Sequence, residues 1–276
     1  MNYYFAPFVS GLKTHITLVN YPPVGGPPAS AADVNVYATW PEDKVWRIVE
    51  MDGLAQGSTV SIAHSDIPVD YPKDRMIAYF MYPGKLPEQL DTLPLEPEIR
   101  SAPAWRGNIQ FRSDTTAVSY QGEIPGEMLK IPKGSLSSIC PMVQDGLGIS
   151  TTFIFSNLRA VPTIEKRSLI LARMRSRKVV SIQDVYTNTC NVIDLGDSAS
   201  DLSDPLCAFS PDMAGVPLYL NHDREFSQMS LEHSHPPEEL TAYGTTEDRR
   251  AIVRKMKSYW LSEVANTQGN AGGADS

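Results

Sequence analysis

The stretch Met76-Ile77-Ala78-Tyr79-Phe80-Met81-Tyr82 is apolar at every position, and Pro83-Gly84 closes it. A short unbroken apolar run, rich in aromatics and ended by turn residues, reads as a central strand of a packed sandwich, buried on both faces. The segments around it read as strands with one wet face. In His15–Asn20, Ile16 and Leu18 share one side while His15 and Thr17 share the other. Val34, Val36 and Trp40 repeat the pattern opposite Asn35, Tyr37 and Thr39, and Val60, Ile62 and His64 repeat it again. Alternation of period two between turn residues marks half-buried strands, and 22 Pro and 18 Gly in 276 residues supply the turns. The rhythm returns in Asn108–Arg112, Thr116–Gln121, Thr151–Ser156, Ser168–Met174 and Val179–Val185. The expected fold is mainly β: two antiparallel β-sandwich domains.

Between the two runs of strands, Leu86–Pro103 carries Pro87, Pro94, Pro97 and Pro103 among four acids. Proline has no amide donor, so such a segment does not form a central strand, and a semi-rigid linker is expected. The resulting division is 1–85 for an N-terminal sandwich, 86–103 for the linker and 104–244 for a C-terminal sandwich. The halves echo each other: Gly11-Leu12 and THITLVN, ending at Asn20, resemble Gly146-Leu147 and TTFIFSN, ending at Asn157. A duplicated sandwich would leave such an echo, although alternating strands also resemble one another by composition alone. After Gly244 the period changes. Ile252, Val253, Met256, Trp260 and Val264 fall on one helical stripe, with Glu247 and Asp248 in the first turn, so one amphipathic helix is expected over 245–266. The small polar residues 267–276 read as a disordered tail.

Lys plus Arg number 24 and Asp plus Glu 32, a net charge of −8. A nucleic-acid binder needs the opposite surplus, so that partner class is excluded. No apolar run reaches the ~18 residues of a membrane span. Met1–Gly11 lacks the charged start and apolar core of a secretory signal, which makes the expected compartment cytoplasmic. The three cysteines, Cys140, Cys190 and Cys207, then read as reduced and buried; in an exported chain Cys190 and Cys207 would be the natural pair.

Catalytic signatures are missing: there is no G-x-S-x-G, no Walker loop and no H-E-x-x-H. Gly146-x-Gly148 opens a strand where a dinucleotide fingerprint requires a helix. Histidines concentrate in Leu218–Glu239, where His233 and His235 share strand parity with Met229 and Leu231. Two imidazoles on one face can meet one divalent transition metal, with Glu232 or Glu239 as further ligand or general base and His64 as a contributor from the first half. The pattern His-x-His-x3-Glu is similar to the ligand pattern of the cupin fold. The glycine a cupin has ahead of the pair is replaced by Ser227, and no later histidine completes the set, so the chain is not assigned to that family. His222 sits at the far end of the same hairpin, too distant to join the site.

Two other clusters are candidate ligand sites. Arg173, Arg175 and Arg177 would line up on one face of an extended strand and suit an anion, or stand solvated near a hairpin turn. Tyr120 and Glu123, around Gly122, offer polar groups for sugar hydroxyls or simply form a turn. The function expected is a non-catalytic ligand-binding or assembly protein, with homo-oligomers formed through sheet edges or the C-terminal helix. The alternative is a metal-dependent hydrolase or oxygenase using the His-x-His pair.

Overall fold

The computed structural model describes residues 1–21, 33–71, 77–96, 107–121, 123–129, 136–138, 148–173, 175–195, 203–204, 206–210, 213, 215–233 and 262. Its strands gather into four sheets. Sheet I has the order β10 (Ile124–Pro125), β1 (Asn2–Phe5), β6 (Ala78–Tyr82), β3 (Val34–Glu42), β4 (Val45–Leu54), β7 (Gln89–Leu90). Sheet II runs β5 (Ser58–Ala63), β2 (Lys13–Asn20), β8 (Asn108–Arg112), β9 (Ala117–Gln121). Sheet III runs β11 (Leu136–Ser138), β16 (Leu206–Ser210), β13 (Lys166–Arg173), β14 (Val179–Tyr186). Sheet IV runs β15 (Cys190–Asp194), β12 (Ile149–Ser156), β17 (Val216–Asp223), β18 (Met229–His233). Every pairing among the described strands is antiparallel. The only described helical pieces with stated bounds are a 3-10 turn, His64–Asp66, and α1, Gly126–Leu129.

The stretch Ala78–Met81 is buried on both faces at the centre of sheet I, between β1 and β3. The mainly β, antiparallel expectation holds. Two separate sandwiches do not, and sheet IV is the reason. One of its faces, Phe153, Phe155 and Tyr219, shares a core with Leu169, Leu171, Leu206 and Ala208 of sheet III. Its other face, Ile154, Leu218 and Leu220, belongs to the large core formed by sheets I and II. A strand whose alternate side chains are all apolar buries both faces, and β12 and β17 do so by joining the two halves.

The halves nevertheless share one connectivity. The order β1-β6-β3-β4 is repeated as β11-β16-β13-β14, and β5-β2-β8-β9 as β15-β12-β17-β18. The register repeats too: Ile16 lies between Ile62 and Ile109, and Phe153 between Ile193 and Tyr219. Counted from these pairs, the residue that answers Gly11 is Gly148 rather than Gly146, and both have positive φ, 86° and 76°. Asn20 and Asn157 answer each other as well. Asn20 Nδ2 donates to the Leu54 carbonyl at the end of β4 (3.0 Å), and Asn157 Oδ1 accepts from the Asn188 amide just after β14 (3.0 Å).

The proline-rich stretch departs from expectation over its described part, 86–96. It lies packed on the outer face of sheet I. β7 pairs with β4, the Ile48 amide donates to the Glu88 carbonyl (2.8 Å), and the Tyr3 hydroxyl donates to the Pro94 carbonyl. Leu93 is 1% exposed. The Ala160 carbonyl of the second half accepts from both the Leu93 amide (2.9 Å) and Trp46 Nε1 (2.7 Å). Proline forbids a central strand but not an edge segment laid against a face. Moreover, β8 and β9 follow this stretch and still pair with β2, so the change from one repeat to the next comes after β9. The expected helix over 245–266 lies outside the described residues apart from Ser262, as do the tail and Cys140. Cys190 and Cys207 are free thiols on different sheets, and burial pushes both up to about 12. No described helix is long and apolar enough to cross a membrane.

Candidate functional site

His233 ends β18 opposite Leu218, half-buried, on the same side as Met229 and Leu231, as its parity requires. Its ring meets Tyr120 of β9, centroids 4.5 Å apart, in the contact between the halves. Glu232 is exposed on the opposite face of the strand, so it and His233 do not converge. His235 and Glu239 lie outside the described residues. His64 stands at the far edge of sheet II from β9, three strand spacings or roughly 14 Å away, beyond the reach of a shared ion. Among the described residues no three His, Cys, Asp or Glu side chains could hold a metal. His222 is engaged separately, with Nε2 3.0 Å from Thr152 Oγ1 and its ring stacked on Phe226 at 4.4 Å.

The three arginines do not form a row along a strand. β13 ends at Arg173, whose Nη1 donates to the Asp204 carbonyl (3.0 Å). The Asp204 carboxylate accepts the amides of Arg175 (2.7 Å) and Ser176 (3.2 Å), and Arg177 has φ 60°. Arg175 and Arg177 therefore stand in the hairpin turn. Hydrogen bonds from Ser176, then the turn amides and the Arg173 charge, hold the Asp204 carboxyl below its ordinary range. Tyr120 is absorbed into the contact with His233. Glu123, half-buried beyond β9, lies near Tyr4, whose phenol is raised by burial and then by that carboxylate.

A cleft opens elsewhere, at the start of β2. It has a volume of about 460 Å³ and is lined by Phe8, Leu12, Lys13, Thr14, His15 and the segment Ala63–Ser65. Pairing of His15 with Ala63 places the first turn of β2 beside the 3-10 turn, and the Asp66 carboxylate fixes that turn by accepting the Ala63 amide (2.7 Å). Thr14 is buried and its hydroxyl donates to the Pro7 carbonyl (2.7 Å), which holds the Phe8 loop against the strand. Phe8, 37% exposed, lies parallel to the His64 ring at 6.2 Å, while Tyr71 meets that ring edge-on at 5.9 Å.

His64 has a defined tautomer. Its Nε2 lies 3.0 Å from the Ala6 carbonyl, and a carbonyl only accepts, so Nε2 carries the proton and Nδ1 is bare. That Nδ1 is buried, with no hydrogen-bond partner among the described residues. Burial lowers His64 to about 4, so the ring is neutral at pH 7. His15, more exposed, is lowered by desolvation and by the Arg112 and Lys13 charges, while the Asp66 carboxylate raises it. The cleft thus combines an apolar wall, a neutral His64 imidazole and, at its rim, Lys13, whose ammonium lies 3.9 Å from the Asp114 carboxylate. No local pattern marks it beyond isolated histidines, because Phe8, His15 and His64 are brought together only by tertiary pairing. No protein-family model, curated protein or solved structure matches the chain.

Proposed function

We propose that this chain is a non-catalytic ligand-binding protein, and that the Phe8–His64 cleft takes a small planar organic anion. The observation that carries the reading is a cleft of about 460 Å³ whose lining sets Phe8 and Leu12 beside Lys13, His15 and His64. Phe8 and Leu12 supply the surface on which an aromatic body rests. Lys13 on the rim, with Arg112 beside His15, supplies the charge that meets an anionic group.

In this reading the two halves of like connectivity are tandem repeats, with the junction after β9, and the second half serves to fix the first through their shared core. A C-terminal helix over 245–266 belongs to the same proposal. Calorimetric titration with 4-hydroxybenzoate, which carries both an anionic group and a donor, tests the ligand class. The expected result is saturable binding at one site, weakened about tenfold or more by Phe8→Ala, a loss near 1.4 kcal/mol. Absence of binding, or binding that Phe8→Ala and His15→Gln both leave unchanged, would reject this cleft as the site.

A further inference from the structure

We infer that β14 is the seat of a two-fold contact between two copies of this chain. A strand at a sheet edge offers its unpaired amides and carbonyls to another chain unless it is blunted. β7 and β10, at the edges of sheet I, have two residues each, and β11, at one edge of sheet III, has three. β9 and β18 pack on each other where the halves meet. β5 exposes Thr59 and Ser61, and β15 exposes a single apolar side chain, Val192. β14 differs from all of these. It is eight residues long, has no partner strand along one side among the described residues, and presents Val180, Ile182 and Tyr186 at 37%, 54% and 41% exposure.

Ile182 lies opposite Ile170, which belongs to a buried apolar patch with Ala172, Cys207 and Phe209. The exposed side chains of β14 therefore extend an apolar surface that is covered over β13 and β16 and open at the edge. A bulge opposite Leu171 and Ala172 bends the start of β14, yet exposed and half-buried residues still alternate from Val179 to Asp184.

The sequence of this edge selects a second copy as the occupant. In Lys178-Val179-Val180-Ser181-Ile182-Gln183-Asp184 the residues are self-complementary about Ser181. Antiparallel pairing of two such strands about a two-fold axis sets Val180 against the partner's Ile182, and Lys178 against the partner's Asp184, each twice by symmetry. Opposite charges and apolar side chains face to face are the favourable cross-strand pairs. Asp184 already holds Lys166 of its own sheet at 2.7 Å, so a partner lysine would complete a cation pair around one exposed carboxylate. Sliding the axis to Asp184 would instead bring two carboxylates together, which disfavours that register.

Sedimentation equilibrium of the full chain, with circular dichroism to confirm folding, is the test. The chain should associate to a dimer as its concentration rises, and Ile182→Lys should raise the dissociation constant by roughly a hundredfold through like charge and lost apolar contact. Ser181→Cys provides a second reading that leaves the apolar edge intact. Residues on the axis of an antiparallel pair have Cα atoms about 4.5–5.5 Å apart, within disulfide reach, so oxidation should give a cross-linked dimer where the parent chain gives none. A chain monomeric at every concentration would overturn the inference. So would a dimer indifferent to Ile182→Lys, or a Ser181→Cys chain that does not cross-link.

Discussion

At the scale of single residues, His64 dominates the acid behaviour of the fold. Its folded value of about 4 lies below the ~6.5 of an unfolded histidine, so the unfolded chain takes up a proton that the native one refuses. The native state therefore keeps its full stability above pH 6.5 and loses up to about 3 kcal/mol as pH falls toward 4. Urea midpoints measured through this range should decline, and His64→Gln should flatten the decline. The turn carboxylates Asp204 and Asp223, both held low chiefly by serine hydroxyls, act in a lower window. Their contribution is present above the ordinary carboxylate value of about 3.9 and is lost only as pH drops below it. Gly215 makes a different kind of demand. A Cβ there would sit 2.3 Å from the Ser156 carbonyl oxygen and 2.5 Å from the Phe155 ring. Gly215→Ala should therefore lower thermal stability by about 1–3 kcal/mol through overpacking, read as a lowered melting temperature.

Among the elements, the 86–96 segment separates what sequence can reveal from what it cannot. Alternation in Ile16/Leu18 and Val34/Val36/Trp40 reports a buried side directly, and the all-apolar Ala78–Met81 reports two. Those strands were legible because their side-chain period is a local property. Pro87 and Pro94 say only that a central strand is excluded. That the Pro94 carbonyl receives Tyr3, 91 residues away, is a tertiary fact with no local trace. The same limit applied at His233, whose parity with Leu231 could be read while its aromatic partner Tyr120 could not. It applied to the arginines, where the turn after Arg173 interrupts the extended spacing. Because Leu93 is buried and its amide is held by Ala160, Leu93→Ala should cost about 2–5 kcal/mol in chemical denaturation. For the same reason brief proteolysis of the native chain should leave 86–95 uncut. Early cleavage there would mean that the segment is a spacer.

At the scale of the molecule, the repeated connectivity and the shared core pull in opposite directions. Two units of like topology could unfold separately, but Ile154, Leu218 and Leu220 are buried in the core of the first half while Phe153, Phe155 and Tyr219 lie in that of the second. Calorimetry should accordingly give one transition, and Leu218→Ala should shift all of it by about 2–5 kcal/mol instead of splitting off a second peak. Rigid support of this kind is what a preformed cleft requires, since loops fixed to packed strands bind without paying to order themselves. We propose that the Phe8–His64 cleft binds an organic anion, with Lys13 at its rim and His15 and His64 in its wall. The most direct test follows the imidazole NMR signals of the five histidines, assigned by single His→Gln variants, during titration with 4-hydroxybenzoate. The account predicts saturable shifts confined to His15 and His64, with the His15 pKa rising as the anion offsets the nearby Lys13 and Arg112 charges. Unmoved signals for both residues at saturating ligand, or shifts centred on His222 or His233, would contradict it.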